Sequence, residues 1–314
     1  MKKTTIPVFF AIDDNYSPFL CVALRSLVKH SSINNQYNIY ILNTGLSEKN
    51  INVINSFSAD NIKITSVNME EKIKNFSNRL HTRDYYSKTT YYRLFIPTMF
   101  PQYNKALYLD SDIVILSDVA NLFNTNIGKN LVGAIPDESV QIVPEFYKYV
   151  ENFLGVERIN YFNAGILVMN LDEMRKQNFE EKFLNLLMTV KFNVAQDQDY
   201  LNVICKDKVK YISFSWNKMP FKCNNVNIQD LNIIHYNLSF KPWHYDDILY
   251  QEEFWENAKE IGLEEQLLNI RNNYTPEQKQ KDLQCGENLK EMALAQSKLG
   301  STFHKFSLNV KVSV

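Results

Sequence analysis

Cysteine is sparse in this 314-residue chain and scattered: Cys21, Cys205, Cys223 and Cys285 form no C-x-x-C pair. That spacing argues against a structural zinc site and a disulfide framework, and fits a reducing compartment. Excess charge is missing too. With 34 Lys and Arg against 35 Asp and Glu, the formal net charge is −1, so nothing marks the whole protein as a binder of nucleic acid or anionic membrane. No apolar run approaches the roughly 18 residues of a membrane-spanning helix. Met1-Lys2-Lys3 followed by Ile6 to Ile12 superficially resembles a secretory signal. The run breaks at Asp13-Asp14 with no small-x-small cleavage site behind it, so we read it as a first strand. A soluble, cytoplasmic protein without a transmembrane segment is expected. Internal repeats and low-complexity linkers are absent as well.

With 45% hydrophobic residues the chain can bury a large core, as one big α/β domain or a domain with an extension. Val8–Ile12, Tyr37–Leu42, Ile62–Val67 and Lys105–Leu109 read as strands. Between them, Ser17-Pro18 supplies an N-cap and an N1 proline for a helix with Leu20, Ala23, Leu24, Leu27 and Val28 on one face. Ser47 caps a second helix through Phe57, and Thr89–Phe95 forms a third. Strands separated by helices predict right-handed βαβ units and a mostly parallel, Rossmann-like sheet flanked by helices. Ligands bind such sheets at the carboxyl ends of the strands. Leu131–Ile135, Gly165–Met169, Val209–Ser213 and Ile233-Ile234 are further strands, and Phe179–Val190 and a segment from Tyr200 to Cys205 are further helices. A composition shift near residue 260 divides residues 1–260, expected to be the catalytic domain, from residues 261–314. That C-terminal extension is charged and helix-forming, with a helix start at Thr275-Pro276-Glu277. It ends in a period-2 alternation from Phe306 to Val314, which reads as a strand.

Most of the chemistry sits in Leu107-Tyr108-Leu109-Asp110-Ser111-Asp112-Ile113, where a buried strand ends in two aspartates spaced i, i+2. Two carboxylates at the end of a core strand are costly there without a partner. The cost disappears if they hold a hard divalent cation, which completes its shell with phosphate oxygens. A polar turn that happens to carry two acids is the alternative. Asp13-Asp14 falls at the end of another strand, on the same edge of the expected sheet.

Four further segments join that pair: Phe10-Ala11-Ile12-Asp13-Asp14-Asn15-Tyr16, Tyr161-Phe162-Asn163-Ala164-Gly165, Gln196-Asp197-Gln198-Asp199, and His235-Tyr236 with Lys241-Pro242-Trp243. In order and spacing, over about residues 6–245, the five resemble the family 8 retaining glycosyltransferases. Members include bacterial lipooligosaccharide and lipopolysaccharide hexosyltransferases and glycogenin. The resemblance implies a GT-A fold and a UDP-sugar donor, UDP-glucose or UDP-galactose. It also implies Mn2+ as cofactor, with Mg2+ as a substitute, and a carbohydrate or glycoconjugate acceptor in cell-surface polysaccharide biosynthesis.

Residue by residue, the resemblance makes Asp110, Asp112 and His235 the metal ligands, with Asp110 and Ser111 also near the donor. Asp13, Asn15 and the backbone of Ala11 become the uridine-binding group, and Arg93 a contact to donor phosphate or sugar. Asn163, Ala164 and Gly165 become the donor-sugar loop, and Lys241 the diphosphate lysine. Asp197 becomes a ligand of sugar hydroxyls, and Gln198 lies near the face of the anomeric carbon opposite the leaving group. Leu238 stands where the family often has a glycine whose amide approaches a phosphate. Independently, a neutral imidazole suits Mn2+ better than Mg2+ or Ca2+, and a carboxylate accepting the uracil N3–H would select uracil over cytosine. The plainer alternatives are a satisfied core role for His235, a surface lysine at Lys241, a surface ion pair at Arg93 and a helix cap at Asp13. Trp243 is read as a packing residue.

Retention normally invites a carboxylate nucleophile about 5 Å from its partner acid. An amide is a poor nucleophile, so a front-face path through an oxocarbenium-like state is expected, with Asp197 as nucleophile the alternative. Two other readings compete. One is a catalytically inactive UDP-sugar-binding protein. The other is a phosphatase of the haloacid dehalogenase type, disfavoured because three βα units precede the Asp-x-Asp. From Gly262 onward seven Lys or Arg face six Asp or Glu, so attraction to anionic lipid is weak. The extension is expected to pack back on the domain or to form a homodimer contact. A peripheral position at the inner membrane face is the remaining expectation.

Overall fold

The computed structural model describes residues 3–82, 87–222, 226–299 and 302–305. Cys223 and the alternating segment from Phe306 to Val314 lie outside the described residues. The strands are β1 (Thr4–Ala11), β2 (Asn35–Asn43), β3 (Ile62–Asn68), β4 (Ala106–Leu109), β5 (Ile113–Ile115), β6 (Val132–Pro136), β7 (Phe162–Met169), β8 (Val209–Tyr211) and β9 (Ile233–His235). Seven of them form one sheet in the order β3-β2-β1-β4-β7-β6-β8. Its pairings are parallel except those of β7, which runs antiparallel to β4 and β6. This is the mostly parallel, helix-flanked sheet that the sequence predicts.

The central strands are apolar without alternation because both faces of the sheet are covered. Neighbouring residues go to opposite layers, as a pleated strand requires. Phe9, Tyr108 and Leu167 enter the core on one face, and Phe10, Leu107 and Val168 the core on the other. Every residue of β7 is buried. β5 and β9 make a separate antiparallel pair in which Ile113 lies opposite His235. That register sets the histidine beside Asp112, which immediately precedes β5.

Several local expectations shift. Ser17 is the first helical residue of Ser17–His30 and makes no cap; instead Asp13 caps the short turn Asp14–Tyr16 by accepting the Tyr16 N–H at 3.2 Å. Ser47 does cap Glu48–Asn55, and Thr275 forms a reciprocal cap with Gln278 at the start of Pro276–Ser297. β7 begins at Phe162 and the helix Asp197–Ile204 at Asp197, each three residues earlier than expected. Both shifts move site residues out of loops and into regular elements.

The extension packs back on the domain. The helix Pro276–Ser297 lies against Pro144–Tyr149, Ala293 is fully buried, and the Phe303 ring meets Phe192 edge-on at 5.4 Å. Among the described residues no helix is long and apolar enough to cross a membrane.

Candidate active site

The carboxyl ends of β1 and β4 open into a cleft. Its lining brings together Ala11, Asp13, Arg93, Asp110, Ser111, Asp112, Asn163, Ala164, Gly165, Asp197, Gln198, His235, Leu238 and Lys241. Asn15 is not among them; its side chain is exposed on the turn outside. The acid pair at the end of β1 divides. Asp13 faces the cleft, whereas the Asp14 carboxylate accepts from the Ser47 N–H at 2.7 Å and from Asn50 at 2.8 Å, and the Ser47 bond lowers its pKa most.

Asp110, Asp112 and His235 offer ligand atoms that all lie within 4.8 Å of one another. His235 Nε2 is 3.3 Å from Asp112 Oδ1 and 3.7 Å from Asp110 Oδ2. A chain of hydrogen bonds fixes the ring. Asn163 Oδ1 accepts the Gly165 backbone N–H at 2.9 Å and Asn217 Nδ2 at 3.0 Å, which leaves Asn217 Oδ1 to accept from His235 Nδ1 at 2.9 Å. A proton held on Nδ1 turns the Nε2 lone pair of the neutral ring toward two carboxylates. Three acceptors facing one another in a partly buried site repel unless a cation lies between them. Two hard oxygens and one imidazole suit a divalent transition metal. Gly165 is required at this point of β7: a Cβ there would stand 2.4 Å from His235 Cε1 and 2.7 Å from Asp110 Oδ2.

The cations around the triad are buried. Arg93 is 3% exposed; its guanidinium lies 3.1 Å from Asp110 Oδ1 and 3.1 Å from Asp197 Oδ2, bonds the Ala164 carbonyl, and covers the Tyr108 ring at 4.2 Å. It is no surface ion pair. Lys241 Nζ bonds Asp112 Oδ2 and the Tyr236 carbonyl, the latter at 2.5 Å. Burial alone would raise the Asp112 carboxyl, but the adjacent Lys241 ammonium draws it well below the ordinary carboxylate range. Burial pushes the Asp197 carboxyl up to about 6 although Arg93 pulls the other way. Asp197 Oδ2 is buried and accepts no hydrogen bond among the described residues. Trp243 stacks on Phe19 at 3.9 Å, as a packing residue should.

Gln198 is locked at both ends of its amide. Oε1 accepts the Ala164 N–H at 2.9 Å, and Nε2 donates to Asp137 Oδ2 at 3.0 Å. Asn163 Nδ2 donates to the same Asp137 oxygen at 3.0 Å. The expected donor-sugar loop, Asn163 to Gly165, is a stretch of β7 where its register with β6 shifts between Ala134 and Ile135. Such an irregularity re-aims side chains next to a site. Of the five described non-glycine residues with positive φ, two line the cleft. Leu238, where the family often has a glycine, has φ +54°, in the left-handed region, and Gln196 has φ +49° just before Asp197. Strained non-glycine residues cluster at functional sites.

Asp137 and Asn217 were not predicted. Asp137 is 3% exposed and caps the short helix Glu138–Ile142 while holding Gln198 and Asn163. The only signal for Asp137 is that an Asp follows a strand, which is too common to single out, and Asn217, just after the turn Phe214–Trp216, gives none.

The family model described as glycosyl transferase family 8 matches residues 7–247. A putative glycosyltransferase of Haemophilus influenzae is 33% identical over 251 residues, 76% of this chain and 73% of that protein. Among solved structures, the galactosyltransferase LgtC in complex with donor and acceptor sugar analogues aligns with a TM-score of 0.67 at 28% identity, over 81% of this chain and 96% of its own. The bifunctional glycosyltransferase WbbM aligns with a TM-score of 0.74 at 24% identity, over 87% of this chain; the chain spans only 53% of that protein.

Proposed function

The chain belongs to glycosyl transferase family 8, and from that premise we propose that it moves a hexose, glucose or galactose, from a UDP-sugar to a hydroxyl of a glycan, glycolipid or glycoprotein, retaining the anomeric configuration. The carrying observation is the Asp110/Asp112/His235 triad, with His235 oriented by Asn217 so that Nε2 faces both acids. Two carboxylates and an imidazole can hold Mn2+; when bound it would neutralise charge on the diphosphate. The relative that carries donor and acceptor sugar analogues supports a nucleotide-sugar donor.

In this reading Asp13 accepts the uracil N3–H beside the Ala11 backbone, with Asn15 at the rim. Lys241 leaves Asp112 far enough to share its ammonium with the departing UDP, a fixed charge aimed where negative charge develops. Leu238 offers its N–H to a phosphate, and Ser111 and Asp110 sit against the donor sugar. Asp197, ion-paired with Arg93, takes a sugar hydroxyl; Asn163, Ala164 and Gly165 let the sugar approach β7. Gln198, fixed by Ala164 and Asp137, turns an amide rather than a carboxylate to the anomeric carbon. That favours front-face departure and attack, the leaving phosphate oxygen taking the proton of the acceptor hydroxyl. A cytoplasmic setting and a homodimer through the extension belong to the same proposal, and sedimentation of the full chain tests the dimer.

The test is a panel of UDP-hexoses scored for UDP release with and without Mn2+. Release should occur with UDP-glucose or UDP-galactose only when metal is present, and Asp112→Asn should keep the fold and abolish it. Metal-independent release, or activity of Asp112→Asn near that of wild type, would overturn the reading. Binding of a UDP-sugar with no turnover would favour an inactive binding protein.

A further inference from the structure

The cleft has a second half whose chemistry differs from the first. Its lining also includes an apolar group: Phe146 and Leu289, which keep part of their surface exposed, with the buried Val140, Tyr149 and Val150. Val140 sits three residues past Asp137 in Glu138–Ile142, and the Tyr149 hydroxyl turns onto buried Asp199 Oδ2 at 2.9 Å. A UDP-sugar brings a charged diphosphate and a hydroxylated hexose to the polar residues of the cleft, and those groups have nothing to offer such a wall. Leu289 is the telling residue. It belongs to Pro276–Ser297, outside the family-matched residues 7–247, yet it lines the same cleft as the metal triad. A helix outside the family-matched residues therefore contributes to the wall of the same cleft.

We propose that this wall is the acceptor subsite and that Leu289 makes the enzyme selective for a hydrophobic glycoside, a sugar with an apolar aglycone beside the reacting hydroxyl. The proposal rests on the glycosyltransferase reading above and deepens it. A pocket half lined by aliphatic and aromatic side chains gains affinity by taking apolar surface out of water. A free sugar would leave the wall wet. Short aromatic aglycones and long lipid carriers share this chemistry.

The experiment uses the full chain with phenyl β-galactoside and phenyl β-glucoside against free galactose and glucose. Saturation-transfer NMR reads contact without needing turnover. In the wild type the phenyl protons should receive saturation from the protein, and Leu289→Gln should remove most of it. In transfer assays Leu289→Gln should raise KM for the phenyl glycosides by about three- to tenfold, the effect of losing part of one leucine's contact. Donor KM and acceptor-independent UDP release should not move. Leu289→Ala, with thermal unfolding as a check on the fold, should give a smaller effect in the same direction. An octyl glycoside below its micelle concentration that binds more tightly than the phenyl compound would identify a lipid carrier as the source; no gain would identify a short aglycone. Absence of phenyl saturation, equal saturation in Leu289→Gln, or a change in donor KM instead would overturn the proposal. A protein that contacts the phenyl group but releases no UDP from any UDP-hexose would contradict the glycosyltransferase reading and leave the apolar subsite standing.

Discussion

Replacing Gly165 with alanine probes the packing under the metal triad. The added Cβ would lie 2.4 Å from His235 Cε1, 2.7 Å from Asp110 Oδ2 and 3.0 Å from Asn163 Oδ1. Non-bonded carbons rest at about 3.5–4.0 Å, so the imidazole must retreat by about 1 Å. None of the three neighbours is the loose end of a flexible chain. His235 is tied to Asn217, Asp110 to Arg93 and Tyr108, and Asn163 to Asp137. Overpacking of this kind costs about 1–3 kcal/mol. A glycine-to-alanine change in an unobstructed strand would instead stabilise by about 0.5–1 kcal/mol, so the sign of the effect is diagnostic. Disturbing the groups that orient ligands weakens metal binding by about 10- to 100-fold. Calorimetric titration with Mn2+, together with urea unfolding in EDTA, separates the two effects. Gly165→Ala should unfold at lower urea without metal and bind Mn2+ at least tenfold more weakly. An unchanged midpoint and an unchanged Kd would refute the claim that β7 is built around the triad.

Two further changes test the surroundings. Gln198→Ala should slow turnover by roughly 10- to 100-fold, since it removes a fixed dipole at the reacting carbon, without trapping a covalent adduct; mass spectrometry showing a glycosyl group on Asp197 of the wild type would defeat the front-face path. Leu238→Gly should relieve about 1–2 kcal/mol of left-handed strain against about 0.5–1 kcal/mol of glycine's entropy, a net gain of about 1 kcal/mol. A lower urea midpoint would show that the leucine side chain contributes more than the strain costs.

The sheet was legible because its strands are continuous apolar runs, and such runs form only where both faces are covered. The Asp110/Asp112 pair was legible because acids at the end of a core strand stand out. His235 was reachable only through the resemblance, since nothing local distinguishes it from a core histidine; its place opposite Ile113 is a pairing across some 120 residues that no window contains. The same limit hid Asp137 and Asn217, whose roles are hydrogen bonds to residues far off in sequence. Helix and strand starts near the site slipped by three residues because polar site residues, Asp197-Gln198 and Asn163, resemble loop. Leu289 was invisible for a different reason: its periodicity marks only a helix face, and which cleft that face closes depends on how the extension packs.

The claim that Asp110, Asp112 and His235 hold a divalent metal in the donor site is tested most directly by titrating Mn2+ into the full chain, alone and with saturating UDP, in the wild type and in Asp112→Asn. The asparagine is isosteric and its Oδ1 can still accept from Lys241, so folding is preserved while one anionic ligand is lost. Saturable Mn2+ binding that UDP tightens is expected, with reciprocal tightening of UDP by Mn2+, and weakening of about tenfold or more in Asp112→Asn. Saturable binding that UDP leaves unchanged, or equal affinity in wild type and Asp112→Asn, would contradict the claim.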